Sequence, residues 1–365
     1  MWRFFPLRTQ SVTIALGIAA ASFLALAQSG SGPYKVIKTA KTGGAGGFDY
    51  IYADEAGRKL YISRSGPAPR VSVFNLDTLE PAGEVVGQAG HGVAVSAKTG
   101  HGFASSKPVA MFDTKTLAMI KTIDVQGGPD GIMHDPYNDR IWIWSHQSPH
   151  ATIIDAKDGT IVSTLDIGGA PEQAQSDGKG TIYVDVEDKD NVAVIDAKEM
   201  KVTGHYDLAG KGGTPAGLGL DAKNGILFVA CRNPQVMVMM NAKDGKVITT
   251  LPIGRGSDGA GFNPKTMEAF SSQGDGTLTV IKENSPTDFV VEQTVETPQG
   301  AKTMTIDGKT NHVLLMTAEY APPPAAPPAP PAGTPPPEAG RGGGRGRGPG
   351  RQMLPDSFQI IMVGK

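Results

Sequence analysis

One short pattern returns along this chain at nearly constant intervals: an Asp, Asn or Ser, a turn containing Gly or Lys, then a strand of alternating apolar and polar residues. It reads "DEAGRKLYIS", "SAKTGHGFAS", "DPYNDRIWIW", "DGKGTIYVDV", "DAKNGILFVA", "NPKTMEAFSS" and "DGKTNHVLLM". The copies begin at Asp54, Ser96, Asp135, Asp177, Asp221, Asn263 and Asp307, so successive intervals are 42, 39, 42, 44, 42 and 44 residues. A period near 42 is the length of one four-stranded propeller blade. Seven copies therefore predict an all-β, seven-bladed β-propeller.

The copy around Asp177 shows the strands in order. "EQAQS" is an inner strand, "TIYVDV" a second, "EDKDN" a polar loop, "VAVID" a third strand, "AKEM" a turn and "KVTGHYDLAG" an outer strand. Third strands elsewhere, such as "RVSVFNLD", "PVAMFDTK" and "ATIIDAKD", alternate in the same way and meet an Asp or Asn turn signal. The last blade has no fourth strand of its own, because the chain stops at "SFQIIMVGK". The stretch "YKVIKTAKTGG", residues 34–44, reads like an outer strand without a blade. It is expected to complete blade seven and close the ring, which removes two free sheet edges.

The stretch "IYVDVEDKDNVAVIDAKEMKVTGHYDLAG" resembles the repeat of the YVTN-repeat (YncE-like) β-propellers, in which YV-x-N is followed by a gap, V-x-VID and an outer strand ending in Gly. The resemblance covers almost all of residues 28–365 and implies the fold. The tetrapeptide itself is degenerate here ("YISR", "FASS", "WIWS", "YVDV"), and the family supplies no catalytic motif to carry over.

Residues 1–27 stand outside the pattern. Arg3 and Arg8 precede an apolar, small-residue run with no acidic side chain, and Ala25 and Ala27 frame an A-x-A site. This is the layout of a cleaved signal peptide, which predicts export to the periplasm or the extracellular space and a mature start at Gln28. The single cysteine, Cys231, sits in "ILFVAC" and is expected to be a buried, inert thiol.

Residues 321–355, "APPPAAPPAPPAGTPPPEAGRGGGRGRGPGRQMLP", interrupt blade seven between its second and third strands. Proline-rich and Gly/Arg-rich segments build no core, so this is expected to be a low-complexity insertion in a single propeller spanning 28–365. It carries Arg341, Arg345, Arg347 and Arg351 against Glu338, a net of +3. Without the leader's two arginines the chain holds 32 basic and 36 acidic residues, so the propeller apart from the insertion is −7. The acidic body opposes nucleic-acid binding. The segment reads first as a solvated low-complexity loop with no specific partner, and the alternative partner for its four arginines is an anionic glycan, lipid headgroup or other envelope component.

The residue before each inner strand sits at the channel mouth of a propeller. Aligning "GFDYI", "GHGVA", "PDGIM", "PEQAQ", "PAGLG", "SDGAG" and "AKTMT" places Asp49, His91, Asp130, Glu172, Ala216, Asp258 and Lys302 there. Converging carboxylates repel unless a cation neutralises them, and mixed oxygen and nitrogen donors suit a divalent metal. Asp49, His91, Asp130, Glu172 and Asp258 are thus the candidate metal set, and Lys302 a further mouth residue. His146 and His150, in the loop "SHQSPH" of blade three, fall on the same face. The same residues also serve as turn caps in a wet channel. Trp142 and Trp144 in "RIWIWS" read as inter-blade core.

Enzyme motifs are otherwise absent: there is no G-x-S-x-G, no H-E-x-x-H and no C-x-x-C-H. The sequence therefore favours an exported binding or interaction scaffold acting through the mouth face. The alternative is a metal-dependent hydrolase or lactonase with Asp49, Asp130, Glu172 and Asp258 as ligands and His91 as base.

Overall fold

The structure, a computed structural model, describes residues 32–322 and 353–365 together with Met1. Residues 2–31, with nearly all of the expected signal peptide, and most of the insertion, including its four arginines, lie outside the described residues. Seven four-stranded antiparallel sheets follow one another around a ring. Six are continuous in sequence, at 51–86, 93–123, 129–165, 171–207, 215–252 and 257–296. Among the described residues no helix is long and apolar enough to cross a membrane.

The punctuation that marks the repeat has a physical cause. Each copy opens at the turn after an inner strand, where a short side chain accepts from backbone N–H groups just ahead of it. Asp54 receives Gly57 N at 2.9 Å, Asp177 receives Lys179 N at 2.7 Å, Asp221 receives Lys223 N at 2.9 Å and Asn263 receives Lys265 N at 3.0 Å. The turns before the outer strands use the same device at Asn75, Asp113, Asp155, Asp196 and Asn241. Asp, Asn and Ser recur because their side chains imitate a backbone turn.

Blade seven is assembled from both ends of the chain. Its order is Met304–Asp307, His312–Thr317, Gln359–Gly364 and then the N-terminal strand Lys35–Lys41. The last two pair antiparallel from Lys35 opposite Gly364 to Lys41 opposite Gln359. Closure is as the outer-strand pattern of residues 34–44 predicts. Tyr34 locks it to blade six: its ring is buried edge-on against Phe270 at 5.5 Å, its hydroxyl donates to Glu268, and Gln293 holds its backbone N and O at 2.9 and 2.7 Å.

Apolar side chains of facing sheets form one cluster at each of the seven inter-blade interfaces. Trp142 and Trp144 are fully buried between blades three and four, with ring centroids 5.6 Å apart. Cys231 is buried between blades four and five, where burial pushes its thiol up to about 12. It is the inert core residue its surroundings in sequence predict.

The insertion is narrower at its base than the sequence boundaries 321–355 imply. Tyr320 bridges Met353, and Leu354 N donates to Glu319 O at 2.8 Å, so the segment leaves and rejoins the sheet at one point. That point adjoins the loop 42–47 that leads to Asp49, because Thr42 N and Gly43 N both donate to Phe358 O. The insertion therefore emerges on the mouth face.

Candidate channel-mouth site

A register slip at the start of the inner strands aims the site residues. Pairing shifts between Pro129 and Ile132, Pro171 and Ala174, Pro215 and Gly217, and Ser257 and Gly259. These slips contain Asp130, Glu172, Ala216 and Asp258, and a bulge turns such a residue out of the ladder. The glycines beside them let neighbouring blades approach. A Cβ on Gly217 would lie 2.8 Å from Ala260 N, and one on Gly131 would lie 2.9 Å from Glu172 O. Hydroxyls fix the backbone behind the ring: Ser105 donates to Asp130 O, Ser272 to Lys302 O at 2.6 Å and Thr303 to Asp49 O at 2.6 Å.

The resulting mouth alternates acid and base around the channel. His91 Nδ1 lies 2.6 Å from Asp49 Oδ2 and 3.0 Å from Asp130 Oδ1. His146 Nε2 lies 3.2 Å from Asp130 Oδ2 and 3.9 Å from Glu172 Oε1. Arg232 continues the sequence, 3.8 Å from Glu172 and 2.8 Å from Glu187, and also pairs with Asp258. Lys302 closes on the other oxygen of Asp258. The ring thus has two arcs: one built on imidazoles across blades one to four, the other on permanent cations across blades five to seven.

Seven of the eight side chains proposed from sequence meet here: Asp49, His91, Asp130, Glu172, Asp258, Lys302 and His146. Asp258 is on the cationic arc, held by Arg232 and Lys302, so it stands apart from the imidazoles and leaves the candidate metal set. His150 is a second correction: its Nδ1 turns to Asp166 Oδ1 at 2.5 Å, because the loop points it along the outer strand instead of into the mouth. The remaining histidines stay away from the mouth, with His134 on Asp139 at 2.8 Å, His101 on Ala156 O at 2.9 Å and His205 on Ile167 O at 3.0 Å.

Reading the residues before each inner strand missed four participants. Arg232 ends the second strand of blade five and fills the place that the neutral Ala216 leaves open. Glu187 comes from the "EDKDN" loop, also outside the aligned positions. Tyr50 follows Asp49, and its hydroxyl lies 3.5 Å from Glu172 Oε2 on blade four. Gln173 crosses further, bonding Leu218 N and Ala260 N at 2.9 and 3.1 Å. A seven-bladed channel suggests residues too distant to share a ligand; these side chains narrow it and floor the mouth.

Burial sets the protonation of the acids. It pushes Glu172 up to about 10, reinforced by a hydrogen bond to Glu187 and opposed by Arg232. Asp130 is also raised, by burial first, with His91 pulling the other way. Tyr50 is held well above its ordinary value by burial and then by Asp130, Glu172 and Asp49. Arg232 loses hydration, but Asp258, Glu172 and Glu187 outweigh that loss and keep it charged.

Fold and site together define a β-propeller with an ionisable channel mouth. No protein-family model matches the chain, and no curated protein matches it. Among solved structures it is similar to a chain in the crystal structure of a mitotic checkpoint complex, with a TM-score of 0.65 at 11% identity over 85% of this chain and 96% of that one. At that identity the likeness is one of fold.

Proposed function

We propose that this protein is an exported binding scaffold of the YVTN-repeat type whose mouth face holds a divalent cation. One observation carries the reading: Asp49, His91 and Asp130, and again Asp130, His146 and Glu172, offer carboxylate oxygens and ring nitrogens within 4.8 Å of one another. Imidazole with carboxylate is a donor set for borderline divalent ions such as Zn²⁺ and Mn²⁺. The other arc already has its cations in Arg232 and Lys302. The structural neighbour comes from a multiprotein assembly, which supports a contact role by fold analogy alone.

A second reading, metal-dependent hydrolysis, is favoured by the exposure of the imidazoles, 50% for the His91 side chain and 41% for that of His146. An ion there keeps positions open to solvent, as catalytic sites do. A pocket of about 240 Å³ beside Asp49 and His91 offers room for an organic group.

Equilibrium dialysis of the chelator-stripped chain against Zn²⁺ or Mn²⁺ tests the common core of both readings. Stoichiometric binding that weakens at least tenfold in His146→Ala, with melting unchanged, is expected. A chain that retains no ion at micromolar concentrations overturns the reading. Turnover of a lactone by the loaded chain alone would select the hydrolase.

A further inference from the structure

The mouth donors do not form one group. Asp49, His91 and Asp130 offer atoms all within 4.8 Å of one another, and so do Asp130, His146 and Glu172. The two triads share only Asp130. An ion bonded at about 2.1 Å has opposite ligands about 4.2 Å apart, so either triad can close on one ion with little movement. The five residues together exceed that span, which leaves room for a second ion.

Asp130 itself points both ways. Its Oδ1 lies 3.0 Å from His91 Nδ1 and its Oδ2 lies 3.2 Å from His146 Nε2. Oδ1 is nevertheless shielded from solvent and has no hydrogen-bond donor, since His91 Nδ1 hydrogen-bonds Asp49 at 2.6 Å. A carboxylate oxygen and a ring nitrogen 3.0 Å apart have the spacing of two ligands around a shared cation. Unexplained buried acceptors of this kind mark the position of an ion or water.

We propose that the imidazole arc is a two-ion centre, with one divalent cation on Asp49, His91 and Asp130 Oδ1, a second on Asp130 Oδ2, His146 and Glu172, and the Asp130 carboxylate bridging them. The proposal rests on the cation-binding reading above and deepens it. A carboxylate that bridges through its two oxygens holds ions at the roughly 3.5–4 Å separation of known two-metal sites. Tyr50, 3.5 Å from Glu172 Oε2, floors the second position. The exposed edges of both imidazoles leave the pair open on the solvent side.

The test uses the full chain, stripped with chelator and titrated with Mn²⁺ alone. Two ions per chain are expected, with the electron paramagnetic resonance spectrum of an exchange-coupled pair. His91→Ala and His146→Ala should each bind one ion and lose the coupling, and native circular dichroism in both variants confirms that they fold. A stoichiometry of one overturns the pair while leaving single-ion binding intact. Two ions without coupling overturn the Asp130 bridge. No binding at all overturns both this inference and the reading beneath it.

Discussion

Ring closure through Tyr34 has a calculable worth. The residue is 3% exposed, its ring packs edge-on against Phe270, and its hydroxyl donates to the Glu268 carboxylate, which also pairs with Lys365 at 2.8 Å. Tyr34→Phe keeps the ring and removes a donor from a buried carboxylate, a loss of about 1–3 kcal/mol. Tyr34→Ala adds an aromatic-sized cavity, so its total is about 4–8 kcal/mol. Urea unfolding followed by tryptophan fluorescence reads both values, since Trp142 and Trp144 are buried far from blade seven and report global unfolding. Amide exchange adds a local readout: Gln359–Gly364 should lose protection in Tyr34→Ala before the other blades do. A cost below about 1 kcal/mol for Tyr34→Ala, with that strand still protected, would refute the claim that this residue fastens the ring.

Two further outcomes concern blade seven. Arg58 of blade one forks onto Asp307 of blade seven at 2.9 and 2.6 Å, and although burial pushes the carboxyl up, Arg58 lowers it to about 2. A carboxyl depressed in the folded state adds stability above its unfolded pKa near 3.8 and loses it as pH falls toward 2. Asp307→Asn, which keeps the turn acceptor, should cost about 2 kcal/mol at pH 7 and almost nothing at pH 2 in chemical denaturation, since one pKa unit is about 1.4 kcal/mol; a cost independent of pH would contradict this. Replacing residues 323–352 with a short Gly-Ser linker should leave the melting temperature within about 2 °C, because Tyr320 and Met353 already sit side by side; a larger fall would show that the segment contributes to the fold.

The sequence revealed the architecture because each blade repeats the same physics. Asx turns at Asp54, Asp177, Asp221 and Asn263 and alternating strands write a period that survives the loss of the tetrapeptide signature. The circle of mouth positions was legible for the same reason, since each lies at a fixed place before an inner strand. What was hidden had no fixed place. Arg232 ends a second strand, away from the aligned positions, and enters the ring only because blade five offers Ala216 there. Tyr50 reads as an ordinary strand residue until the channel is seen to be narrow enough for it to reach blade four. His150 shares a loop with His146, but the outcome depends on loop direction, which spacing does not encode. The division into two arcs is likewise a matter of distance, and only coordinates separate Asp258 from the imidazoles.

The pairing of Lys35 with Gly364 also imposes an order in time. Synthesis delivers Lys35–Lys41 before the six continuous blades and its partner Gln359–Gly364 after them, so that strand waits without a sheet while the other blades emerge. Blades one to six can form in succession as the chain grows, yet their product is an open arc with a raw edge at either end. The final joining spans nearly the whole chain, which makes it the slowest kind of contact to find. Closure therefore comes after blades one to six by topology.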